Sequence, residues 1–238
     1  MIQTYTTQLV LKKELAPDIY LFRFRTENGQ KIQYLAGQYL ILMVPQADDQ
    51  MARRLYSLLT PPGVYDYFEM VIEIFPNGLA SQYLMKLNEH DEVIFQGPAG
   101  LFTFKENDHL KVYLATGTGI VPIMCMLDRS PKSILLWGVQ TYKDVYLFEE
   151  LKKLAEADIN FSFKICLSRE ANLDMIPETD RKYFTLGRVT KSFDELAISH
   201  ELSAIDYYVC GGRAVVESLR QFLYEKGIAK ESVHFEKF

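Results

Sequence analysis

Cysteine is scarce in this sequence. Among 238 residues there are three, Cys125, Cys166 and Cys210, far apart and with no CxxC pair. An iron–sulfur cluster or an all-cysteine zinc site needs four thiolates brought together, so no metal is expected. A sparse, odd count also argues against a disulfide framework and suits a reducing compartment, which makes the cytoplasm the expected location. An apolar leader is missing as well, because Lys12, Lys13, Glu14 and Asp18 interrupt the first twenty residues. Long apolar runs are equally few. The longest, Val112 to Leu127, is broken by Gly117, Gly119 and Pro122 and falls short of the roughly 20 residues a span requires, so no membrane contact is expected. Basic charge is not in excess: 26 Lys and Arg face 31 Asp and Glu, a net charge of −5, which speaks against nucleic acid as a partner.

What is present is aromatic. Fifteen Tyr and 15 Phe help bring the aromatic share to 13%, a composition that suits β-structure and flat ligands. The first hundred residues read mainly as strands: "YLFRFRT" (20–26), "QYLILMV" (38–44), "YFEMVIEIF" (67–75) and "DEVIFQG" (91–97). The turn signals "ENG", "PPG" and "PNG" separate them, and one helix is predicted over "LASQYLMKLN" (79–88). Beyond about residue 106 the pattern changes to alternation. Strands are predicted over 111–115, 133–139, 161–168, 204–211 and 232–238. Helices are predicted from Val121, over 145–157 with a stripe at Leu147, Leu151 and Leu154, and over 214–227 with Val215, Leu219, Phe222 and Leu223 on one face. Strand–helix alternation implies βαβ units and a parallel sheet. The expected architecture is an antiparallel β-barrel domain, residues 1–105, followed by a doubly wound α/β domain, residues 106–238, with "FKENDHL" (104–110) as linker.

Four stretches carry candidate chemistry. "ATGTGIVP" (115–122) ends a strand and opens a helix, so Gly117 and Gly119 would let backbone approach a pyrophosphate at a helix start. The bland alternative is a tight turn with no ligand, and the spacing is not GxGxxG. "RLYS" (54–57) sets a cation, a ring and a hydroxyl side by side, matching a phosphate, a flat ring and a hydrogen-bonding atom, or else a strand with an edge arginine. "GPAGLF" (97–102) is a sharp turn, for which a purely structural role is the simpler reading. "PNGLAS" (76–81) precedes the first predicted helix, where Gly78 and Ser81 could meet a phosphate or form a cap.

Taken in order, R-x-Y-S, G-x-x-S, G-P-x-G-x-F, G-T-G-x-x-P, S-R, C-G and a closing E-x-F resemble the ferredoxin–NADP reductase superfamily over nearly the whole chain. The resemblance implies FAD in a Greek-key barrel. Arg54 would bind its pyrophosphate with Gly78, Leu79, Ala80 and Ser81. Leu55 would line the site, Tyr56 would stack on the isoalloxazine, and Ser57 would face the flavin N5 edge. It implies a nicotinamide nucleotide on Thr116, Gly117, Thr118 and Gly119, with Cys210 and Gly211 beside the nicotinamide. Ser168 and Arg169 resemble the pair that grips a 2′-phosphate, favouring NADPH, with NADH as the other candidate and Arg181, Lys182 and Arg188 as further cations. Glu236 resembles the carboxylate near the flavin edge, and Phe238 the terminal aromatic on the face opposite Tyr56. The implied catalytic set is Ser57, Cys210, Glu236 and Phe238. Phe238 would move aside so that hydride passes from nicotinamide to flavin, and electrons would then leave singly.

The implied partner is a separate acceptor: ferredoxin, flavodoxin or an oxygenase component. Lys12, Lys13, Arg23 and Arg25 are weighed as a basic docking face against ordinary solvated charge. The resemblance implies a monomer. Two other functions stay open: a flavin reductase that releases free flavin, and a non-catalytic flavin-binding redox subunit.

Overall fold

The computed structural model describes residues 2–47, 50–63, 66–130, 132–197 and 205–238. Two compact units emerge: Met1–Phe104 with Met124–Asp128, and Lys105–Ile123 with Arg129–Phe238.

The first unit holds β1 (Gln3–Ala16), β2 (Ile19–Thr26), β3 (Tyr39–Pro45), β4 (Met51–Ser57), β5 (Tyr67–Glu73), α1 (Leu79–Lys86) and β6 (Glu92–Ala99). The strand order is β4-β3-β6-β1-β2-β5, and every neighbouring pair is antiparallel. Just past β4, the Leu59 N–H donates to the Glu69 carbonyl in β5 at 2.8 Å, so the two outer strands meet and the sheet closes as a Greek-key barrel. Inward residues recur at every second position. Phe22 and Phe24 on β2, Phe68, Met70 and Ile72 on β5, and Val93 and Phe95 on β6 are all buried. The rings interlock: Phe95 meets Phe24 edge-on at 4.9 Å and Phe68 at 5.1 Å and 90°. Helix α1 has 8 residues, a length marginal in isolation, and it survives by burying Ala80, Ser81 and Leu84. The four predicted strands are all found. β1 was not predicted, because its Thr, Gln and Lys positions mask the apolar ones.

The second unit holds β7 (Leu110–Thr116), α2 (Ile120–Leu127), β8 (Ser133–Val139), α3 (Phe148–Ala157), β9 (Phe161–Leu167), β10 (Phe184–Leu186), α4 (Val189–Ala197), β11 (Ile205–Gly211), α5 (Arg213–Glu225) and β12 (Val233–Lys237). All strand pairs are parallel, in the order β10-β9-β8-β7-β11-β12. Every residue of β11 is buried, as expected of a strand covered on both faces. From β7 the chain steps outward through β8, β9 and β10, then returns to the other side of β7 for β11 and β12. The order therefore reverses between β7 and β11, and ligands of such sheets bind outside the strand carboxyl ends at that reversal.

Three helical expectations need correction. In α5 the buried positions are Val216, Leu219 and Leu223, while Val215 is 42% exposed. A shift of one residue turns a helical side chain by about 100°, enough to move Val215 off the packed face. Helix α3 starts at Phe148 rather than 145, because Leu147 takes a left-handed φ of 57°, and of the predicted stripe only Leu151 is fully buried. β10 and α4 were not predicted, although Val189 and Phe193 sit four apart and are both buried.

Candidate functional site

In the first unit the RLYS stretch lies on outer strand β4, the strand alternative weighed from sequence. Register sets Arg54 opposite Leu42, Leu55 opposite Ile41, Tyr56 opposite Leu40 and Ser57 opposite Tyr39. The two adjacent arginines differ in use. Arg53 donates across to Gln96 Oε1 at 3.0 Å, whereas Arg54 reaches only the neighbouring Arg53 carbonyl, at 2.8 Å, and joins no ion pair among the described residues. Arg54 and Leu55 are exposed, Tyr56 is half-buried and Ser57 is buried. Burial pushes the Tyr56 phenol up to about 12, with the Arg54 charge pulling the other way. Tyr56 is therefore a neutral ring next to a fixed cation.

The second stretch opens α1. Gly78 is the N-cap, and the first helical bond runs from the Gln82 N–H to the Gly78 carbonyl at 2.8 Å. The first-turn amides of Leu79, Ala80 and Ser81 precede that bond, so an anion would meet N–H groups here. Ser81 has a structural task as well: its Oγ accepts the Phe75 N–H at 3.0 Å, and its side chain is buried. At the far end of α1, the Lys12 ammonium donates to the carbonyls of Met85 (2.9 Å) and Leu87 (2.7 Å). Arg23 pairs with Glu69 at 2.6 Å and Arg25 with Asp66 at 3.3 Å. Three of the four cations weighed as a docking face are thus engaged within their own unit.

The third stretch has packing constraints of its own. Gly97 and Ala99 belong to β6, and a Cβ on Gly97 would lie 2.7 Å from Leu40 Cδ2. Phe102 is buried, but Leu101 between them is 98% exposed.

In the second unit the candidates gather at the strand carboxyl ends. β7 ends at Thr116, a single turn carries Gly117, Thr118 and Gly119, and α2 follows with Pro122 in its first turn. The two glycines have different reasons. Gly117 has φ +53° and nothing within 4 Å of an added Cβ, so its side is open. A Cβ on Gly119 would lie 2.2 Å from the Cys210 carbonyl oxygen, so this glycine is required by the passage of the turn against β11. Gly211, at φ +151°, likewise packs on Thr116, whose Oγ1 would be 2.2 Å from its Cβ. Thr116, Gly119, Cys210 and Gly211 are therefore one knot at the reversal point. The Gly117 carbonyl accepts from Trp137 Nε1 at 3.0 Å and from the Tyr146 hydroxyl at 3.1 Å, two residues that the motifs did not flag.

Cys210 pairs in register with Glu236. Burial raises its thiol well above the ordinary range and the Glu236 charge adds to that, so it stays protonated: a small apolar wall rather than a nucleophile. Phe238 is 53% exposed, yet its backbone is held: its N–H donates to Gly211 O at 3.1 Å, and its carbonyl accepts from Arg213 N–H at 3.2 Å.

Ser168 and Arg169 follow β9, exposed and also at a carboxyl end; the Ser168 hydroxyl donates to Val139 O at 3.1 Å. The parallel strands sort the remaining cations. Arg188 follows β10 and lies at the same end as Arg169. Arg181 and Lys182 precede β10, at the opposite end, and Arg181 donates to the carbonyls of Ile176 (3.1 Å) and Asp174 (3.4 Å). Among the described residues no cluster of His, Cys, Asp and Glu could hold a metal, and no helix is long and apolar enough to cross a membrane.

Comparison with known proteins agrees with this arrangement. The family described as "Oxidoreductase FAD-binding domain" matches residues 6–104, and "Oxidoreductase NAD-binding domain" matches residues 113–221. The anthranilate 1,2-dioxygenase electron transfer component of Acinetobacter baylyi is 27% identical over all of this chain and 67% of its own length. Ferredoxin–NADP reductase B of Sorangium cellulosum is 26% identical, with 100% of both chains covered. The crystal structure of Amycolatopsis cytochrome P450 reductase GcoB superposes with a TM-score of 0.86 at 24% identity, covering 100% of this chain and 70% of that one. An antiparallel barrel and a parallel sheet, each matched to its own nucleotide-binding family, leave one conclusion: the chain belongs to the ferredoxin–NADP reductase superfamily of FAD- and NAD(P)-dependent oxidoreductases.

Proposed function

We propose that this oxidoreductase takes reducing equivalents from NADPH onto FAD and passes them singly to a separate protein acceptor, with residues 1–105 as the FAD domain and 106–238 as the nucleotide domain. FAD, when bound, supplies the chemistry that converts a two-electron donor into one-electron steps. The observation that carries the reading is the knot at the strand reversal. There an open glycine turn, a protonated thiol, a carboxylate and an exposed aromatic share the carboxyl ends of β7, β11 and β12.

The residues present fit the flavin cofactor. Arg54 is an exposed cation with no carboxylate partner among the described residues, suited to a diphosphate. The α1 amides of Leu79, Ala80 and Ser81 add donors, with Gly78 letting the loop approach. Tyr56 offers a neutral ring, Leu55 an apolar contact and Ser57 a hydroxyl. Thr116, Gly117, Thr118 and Gly119 would carry the nucleotide diphosphate, with Cys210 and Gly211 walling the nicotinamide end. Glu236 would hold a proton near the reacting edge. The main chain of Phe238 is bonded on both sides, so its exposed side chain can rotate without unpairing β12. Ser168 and Arg169, with Arg188 at the same sheet end, support NADPH over NADH.

The electron-transfer relatives serve dioxygenases and monooxygenases, which supports an oxygenase component as acceptor, with ferredoxin or flavodoxin the other classes. A cytoplasmic monomer completes the reading. The test is anaerobic stopped-flow absorbance of the desalted protein mixed with NADPH or NADH. A retained yellow colour and rapid bleaching by NADPH, slower with NADH, are expected. Loss of colour on desalting would favour free flavin as a substrate, and no bleaching by either nucleotide would overturn the enzyme reading.

A further inference from the structure

The chain has one tryptophan, and it is spent on the nucleotide turn. Trp137 lies on β8 opposite Ala115 of β7 and is fully buried. Its indole N–H donates to the carbonyl of Gly117 at 3.0 Å. Tyr146, from the segment before α3 and also buried, donates its hydroxyl to the same oxygen at 3.1 Å. Two donors occupy both lone pairs of one carbonyl. The rings meet edge-to-face, with centroids 5.0 Å apart at 80°, so each holds the other in place.

This attention falls on the residue least able to fix itself. Gly117 is exposed, has φ +53°, and has no atom within 4 Å of an added Cβ. Glycine visits positive and negative φ with similar ease, so nothing local stops the 117–118 peptide from turning over. That peptide is trans, and in a planar trans peptide the carbonyl and the following N–H point in opposite directions. Holding the Gly117 carbonyl toward Trp137 and Tyr146 therefore aims the Thr118 N–H the other way. We propose that Trp137 and Tyr146 are positioning residues for the nucleotide diphosphate: they lock the 117–118 peptide so that the Thr118 N–H faces the bound phosphates before the nucleotide arrives. The idea rests on the turn being the dinucleotide site. What it adds is that affinity comes from a preset peptide rather than from glycine alone.

Tyr146→Phe is the test, because it keeps the ring against Trp137 and removes only one donor. The FAD-loaded full-length protein would be titrated calorimetrically with NADP+ and NAD+, and with 2′-AMP (adenosine if the protein prefers NAD+), which lacks the diphosphate. The expected result is a dissociation constant for the preferred dinucleotide raised roughly threefold to tenfold, the size of one hydrogen bond. The constant for the diphosphate-free probe should stay put, and KM should rise with kcat retained. An unchanged dinucleotide constant, or an equal rise for both ligands, would assign Tyr146 to packing alone and overturn the proposal. Failure of the underlying reading looks different: the wild-type protein would bind neither dinucleotide.

Discussion

The two units offer a bound nucleotide different things. In the barrel the candidate groups are side chains projecting from an outer strand: a cation, a ring and a hydroxyl at Arg54, Tyr56 and Ser57. In the parallel sheet they are mainly backbone, a turn whose two glycines are each required for a different reason. Gly119 is needed because β11 passes at its back, and Gly117 because φ is positive. A side-chain site can be emptied without disturbing the fold, whereas a backbone site is tied, at Gly119, to the strand that passes behind it.

Within the backbone site, substitution at the two glycines separates packing from backbone conformation most sharply. Gly119→Ala would drive a Cβ to within 2.2 Å of the Cys210 carbonyl. Backbone against backbone has little room to yield, so a loss of about 3 kcal/mol or more is expected in chemical denaturation. Gly117→Ala meets open space and has only its left-handed φ of +53° to tolerate, a cost of about 1–2 kcal/mol. Similar melting of the two variants would contradict the packing argument.

In the barrel, Arg54→Ala should leave the stability of the apoprotein unchanged and weaken FAD roughly tenfold to a hundredfold, the scale of charge-assisted hydrogen bonds to a phosphate. Fluorescence titration of apoprotein with FAD reads it directly. A fall in apoprotein stability instead would mean that Arg54 serves the fold.

The smallest effect concerns pH and belongs to the second unit. Buried Lys111 donates to Asp206 Oδ2 at 2.8 Å, with the Asn107 amide on the same oxygen at 2.9 Å and His109 at 3.5 Å. Burial alone would raise the Asp206 carboxyl, but the hydrogen bonds from Lys111 and Asn107 outweigh it and hold it below its ordinary range. His234 lies 3.7 Å from Asp206 Oδ1; burial lowers its pKa, Asp206 opposes, and Lys105 and Lys111 push it down further. Both groups are depressed in the folded state, so each contributes stability above its unfolded pKa that is lost as pH falls through the folded one. Urea midpoints should therefore decline as pH falls below the ordinary histidine range, where the unfolded chain takes up a proton that folded His234 resists, and decline again below the ordinary aspartate range, where the same holds for Asp206. His234→Phe should flatten the first decline only. An identical first decline in the variant would show that His234 is not its source.

Much of this was legible in the residues. Strands separated by turn signals in the first hundred residues, and strand–helix alternation beyond about residue 106, separated an antiparallel barrel from a parallel sheet, because parallel neighbours need a crossover between them and antiparallel ones need only a turn. The glycine motif at 115–122 reached the turn at the reversal of strand order. Other features were hidden for physical reasons. Lys12 looked like solvated charge because its acceptors, the carbonyls at the end of α1, are more than seventy positions away. Arg181 and Arg188 looked equivalent until strand direction put them at opposite ends of β10. Val215 and Val216 differ by one step of a helix whose phase only packing could set.

By itself the sequence determined that there are two kinds of sheet, that a glycine turn ends the first strand of the second unit, and that a cation, a ring and a hydroxyl stand together on one stretch. Composition and period suffice for these, since they are local properties of the chain. The tertiary structure alone decided which glycine is a packing requirement and which an open approach, which arginines remain for a ligand, and that Trp137 and Tyr146 converge on one carbonyl from 20 and 29 residues away. Those outcomes depend on strand order and direction, which bring together residues that no local pattern connects.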